Sequence, residues 1–217
     1  MELGVAIASN GRCGPFLRHV VADWIRRGAQ VAVAGGPAAV DACQDLSTFA
    51  YLRLIEMGDR PEDQGDQIAA AMNSLDPDFV LIGADDILPV GAAWIESLTF
   101  TPGSIRSVRL IDMLGRRWFD WSCRTETGTY LQGYEQHHPR TFITGGSQLF
   151  SREARDAVSY EGRPYRTGAD AQICEDAEAA GIQLLPPDPR GPLLVHLDRR
   201  PEHIRWRPDA FARDIEV

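Results

Sequence analysis

The start of the chain switches repeatedly between two hydrophobic periods, and that alternation leaves very few architectures open. Leu3 to Ala8 is a short apolar run of strand length, followed by a polar turn that reads SNGRCG. Beyond it Leu17, Val20, Val21, Trp24 and Ile25 fall at i, i+3, i+4, i+7 and i+8, the stripe of a helix with one buried face. Gly28 suits the residue after a helix, where a left-handed backbone is needed. The runs AQVAVAGG and FAYLRLIE read as second and third strands. Pro61, with Glu62 and Asp63 beside it, opens another helix to about Leu75, and Phe79 to Gly83 is a fourth strand. Strands alternating with helices argue for a parallel, doubly wound sheet. Such sheets bind ligands beyond the carboxyl ends of their strands, the edge that carries Ala8, Ser9, Asn10 and Arg12 after the first strand.

The fourth strand ends at the same edge with two adjacent carboxylates, Asp85 and Asp86. Like charges side by side repel unless a cation or strong donors offset them. On residue types alone they could equally cap a helix beginning at Pro89 in PVGAAWIESL.

The second half is less regular. Residues 105–122 read as two strands joined at a turn near Leu114-Gly115, TGTYLQGYEQHHPRTF as a loop, and FITGGSQLFS as a short strand. Gly168 to Ala180 has the composition of a helix closed by Gly181, and IQLLPP and PLLVHL are late strands. Trp118, Phe119 and Trp121 read as half core, with any exposed ring free to stack on a sugar or base. His137 and His138, before Pro139, read as solvated. There is no internal repeat or low-complexity linker, so one domain over residues 1–217 is expected.

Composition removes several functions. All 22 basic residues are arginine, and without lysine there is no P-loop NTPase, protein kinase or Schiff-base enzyme. The net charge of −9 disfavours broad contact with nucleic acid or an anionic membrane. No apolar stretch reaches membrane-spanning length, and Glu2 stands where a signal peptide carries a base, so a soluble, cytoplasmic protein is expected. Cys13, Cys43, Cys123 and Cys174 are isolated and read as free thiols.

Three segments together resemble the family 2 glycosyltransferases. They are IGADDILP at 82–89, TGGSQLFSREA at 144–154, and TGADAQICEDAEAAG at 167–181 followed by LLVHLD. The family's strand-end motif commonly reads L-D-x-D-D-x-x-x-P, and here Gly83 replaces its first acid. A later family motif, G-E-D with a helix ending in Ala-Gly, has Ala169 in place of its Glu, and Gly181 lies eleven positions past Asp170. The resemblance implies a single α/β domain with a GT-A-like, Rossmann-type mixed sheet flanked by helices. It divides the chain into a nucleotide-binding half, about 1–100, and an acceptor-binding half, about 101–217.

The activity implied is metal-dependent, inverting transfer of a hexosyl or pentosyl group from a nucleotide-diphosphate sugar. Asp85 would contact the ribose, Asp86 and His196 would hold Mn²⁺ or Mg²⁺, Gly145 and Gly146 would lie beside the sugar, and Asp170 would be the general base. A UDP-sugar is the expected donor. Arg199, Arg200, Arg205 or Arg207 could brace the diphosphate. Nucleic acid is a disfavoured acceptor. Two alternatives stand beside this reading: a nucleotidyltransferase of similar fold, and a non-catalytic relative that binds a nucleotide sugar.

Overall fold

The computed structural model describes residues 2–9, 14–58, 60–126, 128–163 and 168–197. Its centre is a seven-stranded mixed sheet in the order β12-β6-β11-β4-β1-β2-β3. The parallel half comprises β1 (Leu3–Ser9), β2 (Gln30–Gly35), β3 (Leu52–Glu56) and β4 (Phe79–Ala84). β11 (Gln148–Ser151) runs antiparallel between β4 and β6 (Ser104–Ser107), while β12 (Gln183–Leu185) is parallel to β6. The parallel sheet expected from the first half is therefore extended by a mixed second half.

β1 is buried along its whole length, and its alternate residues feed two separate cores. Leu3, Val5 and Ile7 join Phe79 and Leu81 under α1 (Gly14–Arg26) and α2 (Pro37–Cys43). Ala6 and Ala8 join Val80 and Ile82 under α3 (Gln64–Asn73) and α5 (Ala169–Ala179). This is the two-faced burial that a doubly wound sheet requires. The apolar stripe of α1 is fully engaged: Leu17, Val20 and Val21 are buried, and Trp24 packs edge-on against Trp94 at 4.9 Å. Burying each such side chain contributes about 1.5–3 kcal/mol. Gly28 takes φ +86° after α1, as its place beyond a helix end suggested.

Several local expectations are overturned. No helix begins at Pro89, which lies inside β5 (Ile87–Val90), and turns occupy residues 92–97. β5 tolerates proline because it is an edge strand of a small sheet, β5-β13-β7, formed with β13 (Leu193–His196) and β7 (Arg109–Asp112). The second strand expected after Gly115 reduces to one bridge, Ile111 to Arg117, before β8 (Ser122–Thr125). The stretch read as a loop contains β9 (Gly128–Leu131), and FITGGSQLFS divides into β10 (Thr141–Phe142), a 3-10 turn at Gly145–Ser147, and β11. α2 and α4 (Arg152–Ala157) have too few apolar positions to show a period. Cys43, Cys123 and Cys174 are buried free thiols, and Cys13 lies outside the described residues. Among the described residues no helix is long and apolar enough to cross a membrane.

Candidate active site

β1 and β4 are adjacent and in register, Ala8 beside Ala84, so the residues after them meet at the carboxyl edge. Ser9 Oγ donates a 2.8 Å hydrogen bond to Asp85 Oδ2. Burial and the neighbouring Asp86 charge push the Asp85 carboxyl above its ordinary range, burial being the larger cause, and the Ser9 bond opposes them. Ala8 is itself buried in the core, so only its backbone is at the edge.

β13 lies between β5 and β7, with His196 opposite Ile87 on one side and Asp112 on the other. That register carries His196 Nε2 to 3.6 Å from Asp86 Oδ2, and the Leu197 N–H donates to the Asp86 carbonyl at 2.7 Å. The imidazole stacks on Trp118 at 4.2 Å with the planes 11° apart. Cis ligands of an octahedral divalent ion lie about 3 Å apart, so a small inward shift would let Asp86 and His196 share one cation. Among the described residues no group of three His, Cys, Asp or Glu could hold a metal ion.

Asp170 occupies the first turn of α5, where the helix dipole favours an acid. Burial raises its pKa to about 6, against hydrogen bonds from the Gly145 backbone N–H and from the Tyr160 and Thr144 hydroxyls. Tyr160 Oη lies 3.3 Å from Oδ1. The glycine turn thus touches Asp170 through Gly145, and through Gly146 it touches the acidic turn. A Cβ on Gly146 would sit 2.3 Å from Ile87 Cδ1, so the glycine permits the closeness of that turn to the residue after Asp86. Asp85, Asp86, Gly145, Gly146, Asp170, His196 and Ser9 are accordingly linked by contact. Asn10, Arg12, Arg199, Arg200, Arg205 and Arg207 lie outside the described residues.

Both missing acids have a packing reason. A Cβ at Gly83 would lie 3.2 Å from both Ile7 Cγ1 and Val5 Cγ1, and Ala169 is fully buried in the α3–α5 core. A carboxylate at either place would lose its hydration without a partner. Sequence reasoning missed Thr144, Gln148 and Tyr160 around Asp170. It noted Trp118 but not its stack on His196; a hydroxyl or ring carries no signal of which distant residue it will meet.

No protein-family model matches the sequence, and no curated protein matches it. Solved structures do. S. aureus TarS 1-349 superposes with a TM-score of 0.61 at 9% identity, covering 91% of this chain and 60% of that one. The mannosyltransferase PcManGT from Pyrobaculum calidifontis, solved with GDP-Man and Mn²⁺, gives 0.59 at 13% identity, covering 92% and 58%. This chain has the GT-A fold. TarS 1-349 has also been solved with UDP-GlcNAc, and there the TM-score is 0.59 at 11% identity over 98% of this chain and 64% of that one. The chain thus spans about three fifths of the TarS fragment and of the mannosyltransferase. The inositol-1-phosphate CTP transferase from T. maritima shares the architecture at a TM-score of 0.54 and 10% identity, covering 91% of this chain and 88% of that one.

Proposed function

We propose that this protein is a metal-dependent, inverting glycosyltransferase that moves a hexosyl or pentosyl group from a nucleotide-diphosphate sugar to an acceptor hydroxyl. The observation that carries the reading is the contact chain at one sheet edge: Ser9 to Asp85, Asp86 to His196, Ile87 to Gly146, and Gly145 to Asp170. Asp85, oriented by Ser9, accepts from a ribose hydroxyl. Asp86 and His196 would hold Mn²⁺ or Mg²⁺, which when bound offsets the negative charge of a leaving diphosphate as a Lewis acid. An imidazole beside a carboxylate suits Mn²⁺ somewhat better. The Gly145-Gly146 backbone lies along the sugar, with no side chain to keep it away. Asp170 takes the proton of the acceptor hydroxyl as that oxygen attacks the anomeric carbon; a base with a pKa near 6 is ionised at neutral pH and still basic enough to accept it. Residues up to about 100 serve the nucleotide and the remainder the acceptor, with His196 crossing to the donor side.

A UDP-sugar is the first donor to try, since TarS has been solved with UDP-GlcNAc, with GDP-sugars next on the precedent of PcManGT. A nucleotidyltransferase is the second reading, favoured by one observation: the CTP transferase is matched over most of its own length. Product analysis separates the two. Incubation with nucleotide sugars, Mn²⁺ and hydroxyl acceptors is expected to release a nucleoside diphosphate. Release of pyrophosphate from a nucleoside triphosphate instead would overturn the transferase reading in favour of the second. Donor binding without turnover would indicate the non-catalytic relative.

A further inference from the structure

Two arginines stand near the start of α5 with no carboxylate to hold them. β8 and β10 are antiparallel, with Cys123 opposite Thr141, and the ladder continues one residue further: the Arg124 N–H donates to the Arg140 carbonyl at 3.1 Å. Arg124 and Arg140 are therefore cross-strand neighbours, and like charges so placed destabilise a sheet. Both residues are exposed, and among the described residues neither guanidinium has a hydrogen bond or an ion pair. Glu178, an acid of the helix packed on β10, is paired with His137 at 2.9 Å instead. Arg124 reaches the beginning of that helix. A Cβ on Gly168, the residue before α5, would lie 2.6 Å from Arg124 Nη1, so the missing side chain admits the guanidinium. The positive end of a helix dipole repels a cation, which adds to the cost of this placement. In a chain of net charge −9, such a guanidinium is open to an anion from outside.

We propose that Arg124, with Arg140 beside it, determines acceptor specificity by selecting acceptors that carry a phosphate or a carboxylate near the hydroxyl to be glycosylated. This rests on the reading of Asp170 as the general base of an inverting transfer. In such a transfer the base stands across the anomeric carbon from the leaving diphosphate, so what lies beyond the base meets the acceptor. Contacts run from Asp86 and Ile87 through Gly146 and Gly145 to Asp170. Arg124 follows at Gly168, two residues before Asp170, at the other end of that series from the carboxylate assigned to the metal. The Asp170 carboxyl is itself hydrogen-bonded by Gly145, Tyr160 and Thr144, so an anion on Arg124 leaves it in place for the hydroxyl proton. A planar guanidinium takes either anionic group through two parallel N–H bonds.

The test uses matched probes, glucose 6-phosphate and glucuronate, each against glucose. In NMR titrations the Arg124 Nε–Hε cross-peak, identified by its loss in Arg124→Gln, is expected to move saturably with both anions and not with glucose. The response should weaken as salt is added, because pairing with an exposed guanidinium is screened. With UDP-GlcNAc and Mn²⁺, transfer to the anionic probes should exceed transfer to glucose. Arg124→Gln should reduce that preference by about fivefold to tenfold with the donor KM unchanged, and Arg124→Lys, which keeps the charge but not the fork, should restore part of it. Arg124 is exposed, so neither variant threatens the fold. No shift with either anion, an equal shift with glucose, or a preference that survives Arg124→Gln would overturn the proposal. So would a raised donor KM in Arg124→Gln, which would put the guanidinium on the diphosphate. Salt-sensitive anion binding at Arg124 in a protein that transfers sugar to no hydroxyl acceptor would uphold the recognition and remove only the transferase reading.

Discussion

Asp86 and Asp170 are the same side chain at one sheet edge, in opposite surroundings. Asp86 lies beside a second carboxylate and an imidazole, with part of its surface in solvent. Asp170 is half-buried among uncharged donors, and the burial of its carboxyl raises its affinity for a proton. A carboxylate among charged groups is suited to hold a cation, and one partly withdrawn from water among neutral donors is suited to hold a proton. The fold makes the difference by drawing Asp86 from a strand end and Asp170 from the first turn of a helix packed on the core.

Substitutions that equalise the two sites break this contrast. The largest effect is expected for Asp170→Asn, which removes the proposed proton acceptor while keeping the shape. Turnover should drop by about 10²–10⁴-fold with donor affinity retained, as steady-state kinetics and calorimetry would read. The same change should raise the melting temperature at pH 8. A carboxyl whose folded pKa is raised to about 6 from 3.8 contributes stability below the lower value, and loses it as pH rises through the upper one. The wild type is thus destabilised by ionisation at pH 8 and asparagine is not. The stability advantage should disappear at pH 4.

Asp86→Ala should leave the Asp170 titration untouched and weaken metal-dependent donor binding by at least about tenfold, or 1.4 kcal/mol. Gly146→Ala tests the joint between the two regions. The added methyl meets Ile87 Cδ1 and should cost about 1–3 kcal/mol of stability in chemical denaturation. Ile87→Val deletes the opposing atom, so the double variant should recover most of that loss. The smallest effect is expected for Trp118→Leu, which removes the ring stacked on His196. Stacked rings contribute about 0.5–1.5 kcal/mol, so cation affinity should weaken by a few-fold with Asp170 unaffected.

The features legible in the sequence were those with a period or a punctuating residue. The α1 stripe, the first four strands and the place of Asp85-Asp86 at a strand end all follow from spacing alone. The mixed half was harder, because β11 and β13 acquire their partners from residues far away in the chain. The same limit explains Pro89: a proline before an amphipathic stretch has the signature of a helix start, and only its pairing with Leu194 makes it part of an edge strand. With no helix following, Asp85 and Asp86 do not cap one, which removes the plainest competing account of that acidic pair. Tyr160, Gln148 and Trp118 matter through what they touch across the fold, and nothing local announces it.

The most direct test of the central claim is the melting temperature of the wild type and of Asp86→Ala with UDP, GDP and CDP, each with Mn²⁺ or with EDTA. A ligand held only by the folded state raises the midpoint, by about 2.7 kcal/mol of stability at a hundred times its dissociation constant. The expected result is a rise with one nucleotide that requires Mn²⁺ and is lost in Asp86→Ala. A rise that survives EDTA and is equal in both proteins, or no rise with any nucleotide, would contradict a metal-assisted nucleotide site at Asp86.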